Sequence, residues 1–188
     1  VAGSSWPPDE DIFIRFFNEH RDWRLIIAPH VIAEDHLQQI LSKLNRKAVR
    51  YTCTTPGDAR EADCLLIDCF GLLSGIYRYG DIAYVGGGFG VGIHNVLEAA
   101  VWGVPVIFGP NNRRFQEAQG LFVAQGGFEI DDYASFEHTM RRFVDDSSIR
   151  QEAGTRASTF VSSLAGATET IFDNVFPAGN QSPLNKGI

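Results

Sequence analysis

The sequence predicts an α/β domain, a parallel sheet with helices on both faces. Three observations predict it. Short apolar runs alternate with helical periods along the chain. Several of those runs are apolar nearly throughout, as strands covered on both sides must be. The length, 188 residues, sets a prior of one domain.

The elements follow in order. Val1-Ala2-Gly3 reads as the last residues of a buried strand. A fold rarely starts on the end of a central strand, so the chain is expected to be a domain cut from something longer. Asp9-Glu10-Asp11 places carboxylates at the first turn of a helix running to about Arg21, where they suit its dipole. Leu25–Ala28 is the second strand. Leu37, Ile40, Leu41 and Leu44 mark a helix by their i, i+3, i+4, i+7 spacing. Val49–Thr52, Leu65–Ile67, Ile82–Val85 and Val104–Phe108 are further strands, and Gly127–Ile130 a weaker one. Phe136, Met140, Phe143 and Val144 stripe one late helix, and Phe160, Val161 and Leu164 another. Residues 1–176 form the domain. Residues 177–188, rich in Pro, Gly and Asn, form a flexible tail.

Composition excludes several classes. Twenty-three acidic against 16 basic residues leave a net charge of −7, the wrong sign for a nucleic-acid-binding module. No apolar run approaches the length of a membrane helix and no signal peptide opens the chain, so the domain is expected to be soluble. Three cysteines without a CxxC pair suit a reducing compartment. No HExxH, Cys cluster or acidic metal pattern occurs, and no metal or cofactor is expected.

In parallel sheets ligands bind beyond the carboxyl ends of the strands, so the strand-to-helix loops matter most. Gly3-Ser4-Ser5 follows the first strand. Small residues, two hydroxyls and a helix N-terminus behind them can hold an anion; a plain serine cap explains the same residues. Pro29-His30 follows the second strand, where His30 can reach phosphate or stack on a base, or simply close a surface turn. Gly86-Gly87-Gly88 and its neighbours Gly90 and Gly92 form a loop whose glycine density needs a reason, either close approach of a ligand or flexibility. The loop fits neither strict GxGxxG nor a P-loop. His94-Asn95-Val96-Leu97-Glu98 opens the next helix. Asn95 and Glu98 have capping-box spacing, yet a carboxylate there can also accept from both hydroxyls of a ribose. Ala99, Ala100 and Gly103 are expected to keep this helix close to the sheet. Glu117 is a weaker cleft candidate. His20, His36 and His138 read as surface, Trp23 and Trp102 as packing residues.

The ordered set Gly3-Ser4-Ser5-Trp6-Pro7-Pro8-Asp9-Glu10, Gly86-Gly87, His94-Asn95-x-x-Glu98-Ala99-Ala100, Gly103-x-Pro105-Val106 and Phe108-Gly109-Pro110 resembles the carboxy-terminal domain of 3-deoxy-D-manno-octulosonic acid (Kdo) transferases. These are glycosyltransferases of lipopolysaccharide synthesis with the two-domain GT-B fold. The resemblance implies a Rossmann-like domain, the C-terminal half of that fold, that binds the donor CMP-Kdo without a metal. It implies donor contacts at Gly3, Ser4, Ser5, Pro29, His30, Phe70, Gly71, Leu72, Gly87, Gly88, His94, Asn95, Val96, Leu97 and Glu98. The family's arginine is His30 here, and its Met-Gly-Glu is Phe70-Gly71-Leu72.

The acceptor (a lipid A precursor), the membrane contact and the general base belong to an N-terminal domain absent from this chain, so no catalytic residue is expected in it. The full protein would work at the cytoplasmic face of the bacterial inner membrane, and the isolated domain would be inactive. Rival readings are a UDP-sugar-dependent GT-B transferase of the MurG type, a stand-alone donor-binding subunit needing a partner, and a nucleotide-binding regulator.

Overall fold

A computed structural model of the chain describes residues 1–90 and 92–165. The 177–188 tail and the boundary at 176 lie outside the described residues. Seven parallel strands form one sheet: β1 Ala2–Ser5, β2 Leu25–Pro29, β3 Ala48–Arg50, β4 Cys64–Leu66, β5 Ala83–Val85, β6 Val106–Phe108 and β7 Gly127–Glu129. Their spatial order is β3-β4-β2-β1-β5-β6-β7. The weak run at Gly127–Ile130 is therefore a true edge strand, and Val1–Gly3, read as the end of a strand, instead opens the central strand, which runs on to Ser5.

Alternation along the strands builds two cores. Tyr84 and Ile107 face one side; Ala83, Val85, Val106 and Phe108 face the other. The first side is covered by α1 (Pro7–Glu19), α2 (Glu34–Lys43) and α7 (Tyr133–Asp145) through Phe13, Phe16, Phe17, Leu37, Ile40, Phe136, Met140 and Phe143. The short α3 (Pro56–Glu61) and α4 (Leu73–Ile76) follow α2 in the chain, and Leu73 of α4 packs against the second core. The second side is covered by α5 (Leu97–Ala100), α6 (Gln116–Val123) and α8 (Ser147–Leu164). Ala99 and Ala100 are fully buried there, as expected for a helix held close to the sheet.

Some elements differ from the expectation. The third strand ends at Arg50, and Tyr51–Cys53 turn as a 3-10 helix that leaves Tyr51 exposed. Val144 and Leu164 are exposed rather than part of their stripes. The buried stripe of α8 is Ala153, Gly154 and Ala157. A Cβ on Gly154 would lie 2.0 Å from the carbonyl of Gly103, so the helix sits too close for large side chains. Trp102 is 43% exposed, its indole N–H donating to the Ser74 carbonyl, while Trp23 packs on the core. His20 stacks on Phe16 rather than projecting free. All three cysteines are unbridged.

Candidate functional site

The strand sequence reverses direction between β1 and β5, and an open α/β sheet leaves a crevice beyond the carboxyl ends at such a point. Both flanking loops were singled out by the sequence. The loop after β1 proves to be chiefly a support. Its register shifts between Gly3 and Ser5, with Ser4 at φ 53°. The Ser5 hydroxyl is fully buried and donates to Glu10 Oε1 at 3.0 Å. Glu10 Oε2 meets His36 Nε2 at 3.0 Å, and His36 Nδ1 meets the Val31 carbonyl at 2.9 Å. His36 is thus a buried bridge between α2 and α1, not a surface residue. Ser5 is not a free donor, and it is not the helix cap either, which is Trp6.

Asp9 lies beside this pair and is equally buried. It accepts from Trp6 N–H and Gly87 N–H, both at 2.9 Å, and from the Tyr84 hydroxyl at 2.7 Å. Burial, and then the Asp9 charge, push the Tyr84 phenol far above its ordinary range. The sequence offers α1's amino end to an external anion, but the chain fills that end itself. Pro7 and Pro8 have no N–H, and Asp9 takes the cap amide. Two carboxylates without water need such partners, since an unsatisfied buried acceptor costs about 1–3 kcal/mol.

The glycine loop after β5 has a reason the sequence alone does not show. A Cβ on Gly88 would lie 2.6 Å from the Gly109 backbone, and one on Gly86 would lie 2.4 Å from the Ser4 carbonyl. The glycines let three loops touch backbone to backbone. Gly87, at φ 94°, turns its N–H onto Asp9. Buried Asn112 anchors the third loop, donating to the Gly109 carbonyl at 2.9 Å and to Glu129.

Three rings stand over this scaffold. His30 stacks on Trp6, with centroids 4.7 Å apart, and on His94 at 4.4 Å, both at 25° between planes. The Trp6 indole N–H donates to His94 Nε2 at 3.3 Å. Partial burial, and then the nearby His30, hold the His94 imidazole below the usual histidine range. Trp6 entered the sequence reading only as part of a motif; its aromatic neighbours come from loops 24 and 88 residues away.

Glu98 lies on the second flank. Asn95 Oδ1 accepts from Leu97 N–H at 3.0 Å, and Asn95 Nδ2 donates to Glu98 Oε1 at 3.2 Å. That is not the reciprocal backbone pairing of a capping box. Among the described residues no group bonds Glu98 Oε2. Val96 is buried in the second core and Leu97 packs on it, so their side chains do not face the crevice. Pro29 is also buried. Phe70 is 79% exposed just before Gly71, whose φ is 87°, and Leu72 caps α4 half-buried. Glu117 points to solvent.

Among the described residues no three His, Cys, Asp or Glu side chains are grouped to hold a metal, and no helix is long and apolar enough to cross a membrane. A cavity of about 630 Å³ opens at the opposite, amino ends of the strands beside Val1, Trp23, Tyr79 and Met140. We place the site at the switch point because the polar groups and free aromatic faces converge there.

A doubly wound parallel sheet with this crevice defines the class, a Rossmann-like α/β domain that binds its ligand at the carboxyl ends of the strands. In the solved structures it is similar to the C-terminal CMP-Kdo binding domain of WaaA from Acinetobacter baumannii (TM-score 0.73, 20% identity, covering 85% of this chain and 86% of that one). It is also similar to the C-terminal domain of the glycosyl transferase group 1 family protein LpcC from Francisella tularensis (TM-score 0.56, 15% identity, covering 83% and 76%).

By sequence, the chain is 33% identical over 137 residues to the 3-deoxy-D-manno-octulosonic acid transferase of Aquifex aeolicus (strain VF5), covering 69% of this chain and 37% of that protein. It is 26% identical over 176 residues to the transferase of the same name from Chlamydia muridarum (strain MoPn / Nigg), covering 90% and 40%. No protein-family model matches. The resemblance to the Kdo transferases read from the ordered motifs is borne out. The chain spans about two fifths of the length of these relatives.

Proposed function

We propose that this chain is the donor-binding half of a Kdo transferase, holding CMP-Kdo in the crevice between the β1 and β5 loops. The whole protein would move Kdo from CMP-Kdo to a lipid A precursor. The reaction is an inverting displacement at the anomeric carbon, with CMP as the leaving group. The acceptor, the general base and the contact with the cytoplasmic face of the inner membrane fall to the rest of that protein.

One observation carries the reading. At the switch point a half-free carboxylate, Glu98, lies on one flank, and a stack of three rings, Trp6, His30 and His94, rises over the other. Glu98 can accept from the ribose hydroxyls. His30 and His94 can donate to the phosphate, and each negative charge placed there is stabilised by fixed donors rather than by water. Exposed Phe70 offers a face to the base.

The same fold occurs in a group 1 glycosyltransferase domain, so the nucleotide must be tested directly. Titration of the chain with CMP, UMP and UDP should show preference for CMP. Preference for UDP would favour a UDP-sugar transferase instead. The chain alone should transfer no Kdo, because a cleft with one wall neither seats the acceptor nor excludes water. Robust transfer by these 188 residues would contradict the division of labour.

A further inference from the structure

We propose that His94 meets the donor phosphate as a neutral hydrogen-bond donor, its proton kept on Nδ1 by the indole of Trp6, which makes Trp6 a positioning residue of the site. The proposal rests on the donor-site reading above. It starts from the contact between Trp6 Nε1–H and His94 Nε2 at 3.3 Å. An indole nitrogen only donates, so Nε2 must carry the lone pair, and a neutral ring then bears its hydrogen on Nδ1. Among the described residues no group bonds Nδ1, which leaves that hydrogen for a ligand. Protonating Nε2 would set two donors against each other across the same contact.

The charged and titratable neighbours come from three directions. His30, on the loop after β2, stacks at 4.4 Å and disfavours a second positive charge. Asp9 of α1 and Glu98 of α5 attract one, and burial opposes it. Burial and His30 prevail, so the imidazole lies below its ordinary range. The two histidines therefore divide the work. His30 is the exposed ring of the pair. His94 donates whether or not His30 is charged. A neutral imidazole as donor to a developing oxyanion has precedent in enzyme chemistry.

The test is nitrogen NMR of the histidine-labelled chain, free and with CMP, from about pH 6 to about pH 8. His94 should show a bare Nε2 and a protonated Nδ1 throughout, with its Nδ1 signal moving when CMP binds. In Trp6→Phe, which keeps the stacked ring and removes the N–H, both tautomers should appear and the His94 midpoint should rise, because a protonated Nε2 no longer faces a second donor. His94→Ala should weaken CMP binding by about tenfold at both ends of the pH range.

A proton on His94 Nε2 in the wild type, or a Trp6→Phe variant with unchanged tautomer and midpoint, overturns the proposal. The wild-type spectrum decides even if the variant does not fold. If the tautomer is as expected but CMP moves neither histidine, the donor-site reading beneath the proposal is overturned and the Trp6 contact stands as structure alone.

Discussion

Asp9 and Glu98 flank one crevice from neighbouring strands, and they share little beyond their charge. Asp9 is fully buried and receives three hydrogen bonds, from Trp6, Gly87 and Tyr84. Glu98 is half-buried, shares one oxygen with Asn95 and leaves the other without a protein partner. The first carboxylate closes a structure and the second is open to a ligand. Motif residues thus sort into builders and presenters, and the number of hydrogen bonds already made tells which is which.

The widest separation should come from stability. Asp9→Ala strands three donors, two of them backbone amides, and should lower unfolding free energy by ~3 kcal/mol or more in urea denaturation. CMP affinity of the molecules that remain folded should change much less. Glu98→Gln should invert that pattern. It should lower CMP affinity by about tenfold while stability changes by less than ~1 kcal/mol. If Glu98→Gln unfolds the chain and spares affinity, Glu98 is a builder too.

Phe70 sharpens the contrast, since a side chain 79% exposed contributes little to folding. Phe70→Ala should leave the melting midpoint unchanged and weaken CMP binding by about fivefold, toward the low end of base–aromatic stacking. His30 comes next. His30→Ala should weaken CMP binding several-fold, and His30→Arg, which keeps a donor at that position, should retain it. An alanine variant that binds CMP as the wild type does would make His30 a turn residue.

The builders were hidden in the sequence for physical reasons. An Asp-Glu pair after two prolines has the look of any solvated helix start, and only the tertiary contacts of Tyr84, Gly87 and His36 reveal it as internal. The stripe of α8 was legible only in part: Phe160 and Val161 pack on the second core and Leu164 is exposed, while Ala153, Gly154 and Ala157 went unseen because close packing at Gly103 selects small residues, which carry a weak hydrophobic signal. The glycine loop was legible as unusual but not as a three-loop contact, since Gly109 is distant in the chain. The sheet was legible where its strands are apolar on both faces, as in β2, β5 and β6, and less so at β1 and β3, whose bounds shifted. The presenters His30, Asn95 and Glu98 were legible because parallel-sheet loops place them at the carboxyl edge whatever their contacts.

The central claim is that the crevice between β1 and β5 holds CMP. A crystal structure of the chain with CMP tests it most directly. The account predicts ribose hydroxyls on the Glu98 carboxylate, the phosphate beside His30 and His94, and Asp9 still buried on Gly87. CMP seated elsewhere, such as the cavity beside Val1 and Trp23, or rotated so that its phosphate faces Glu98, would contradict it.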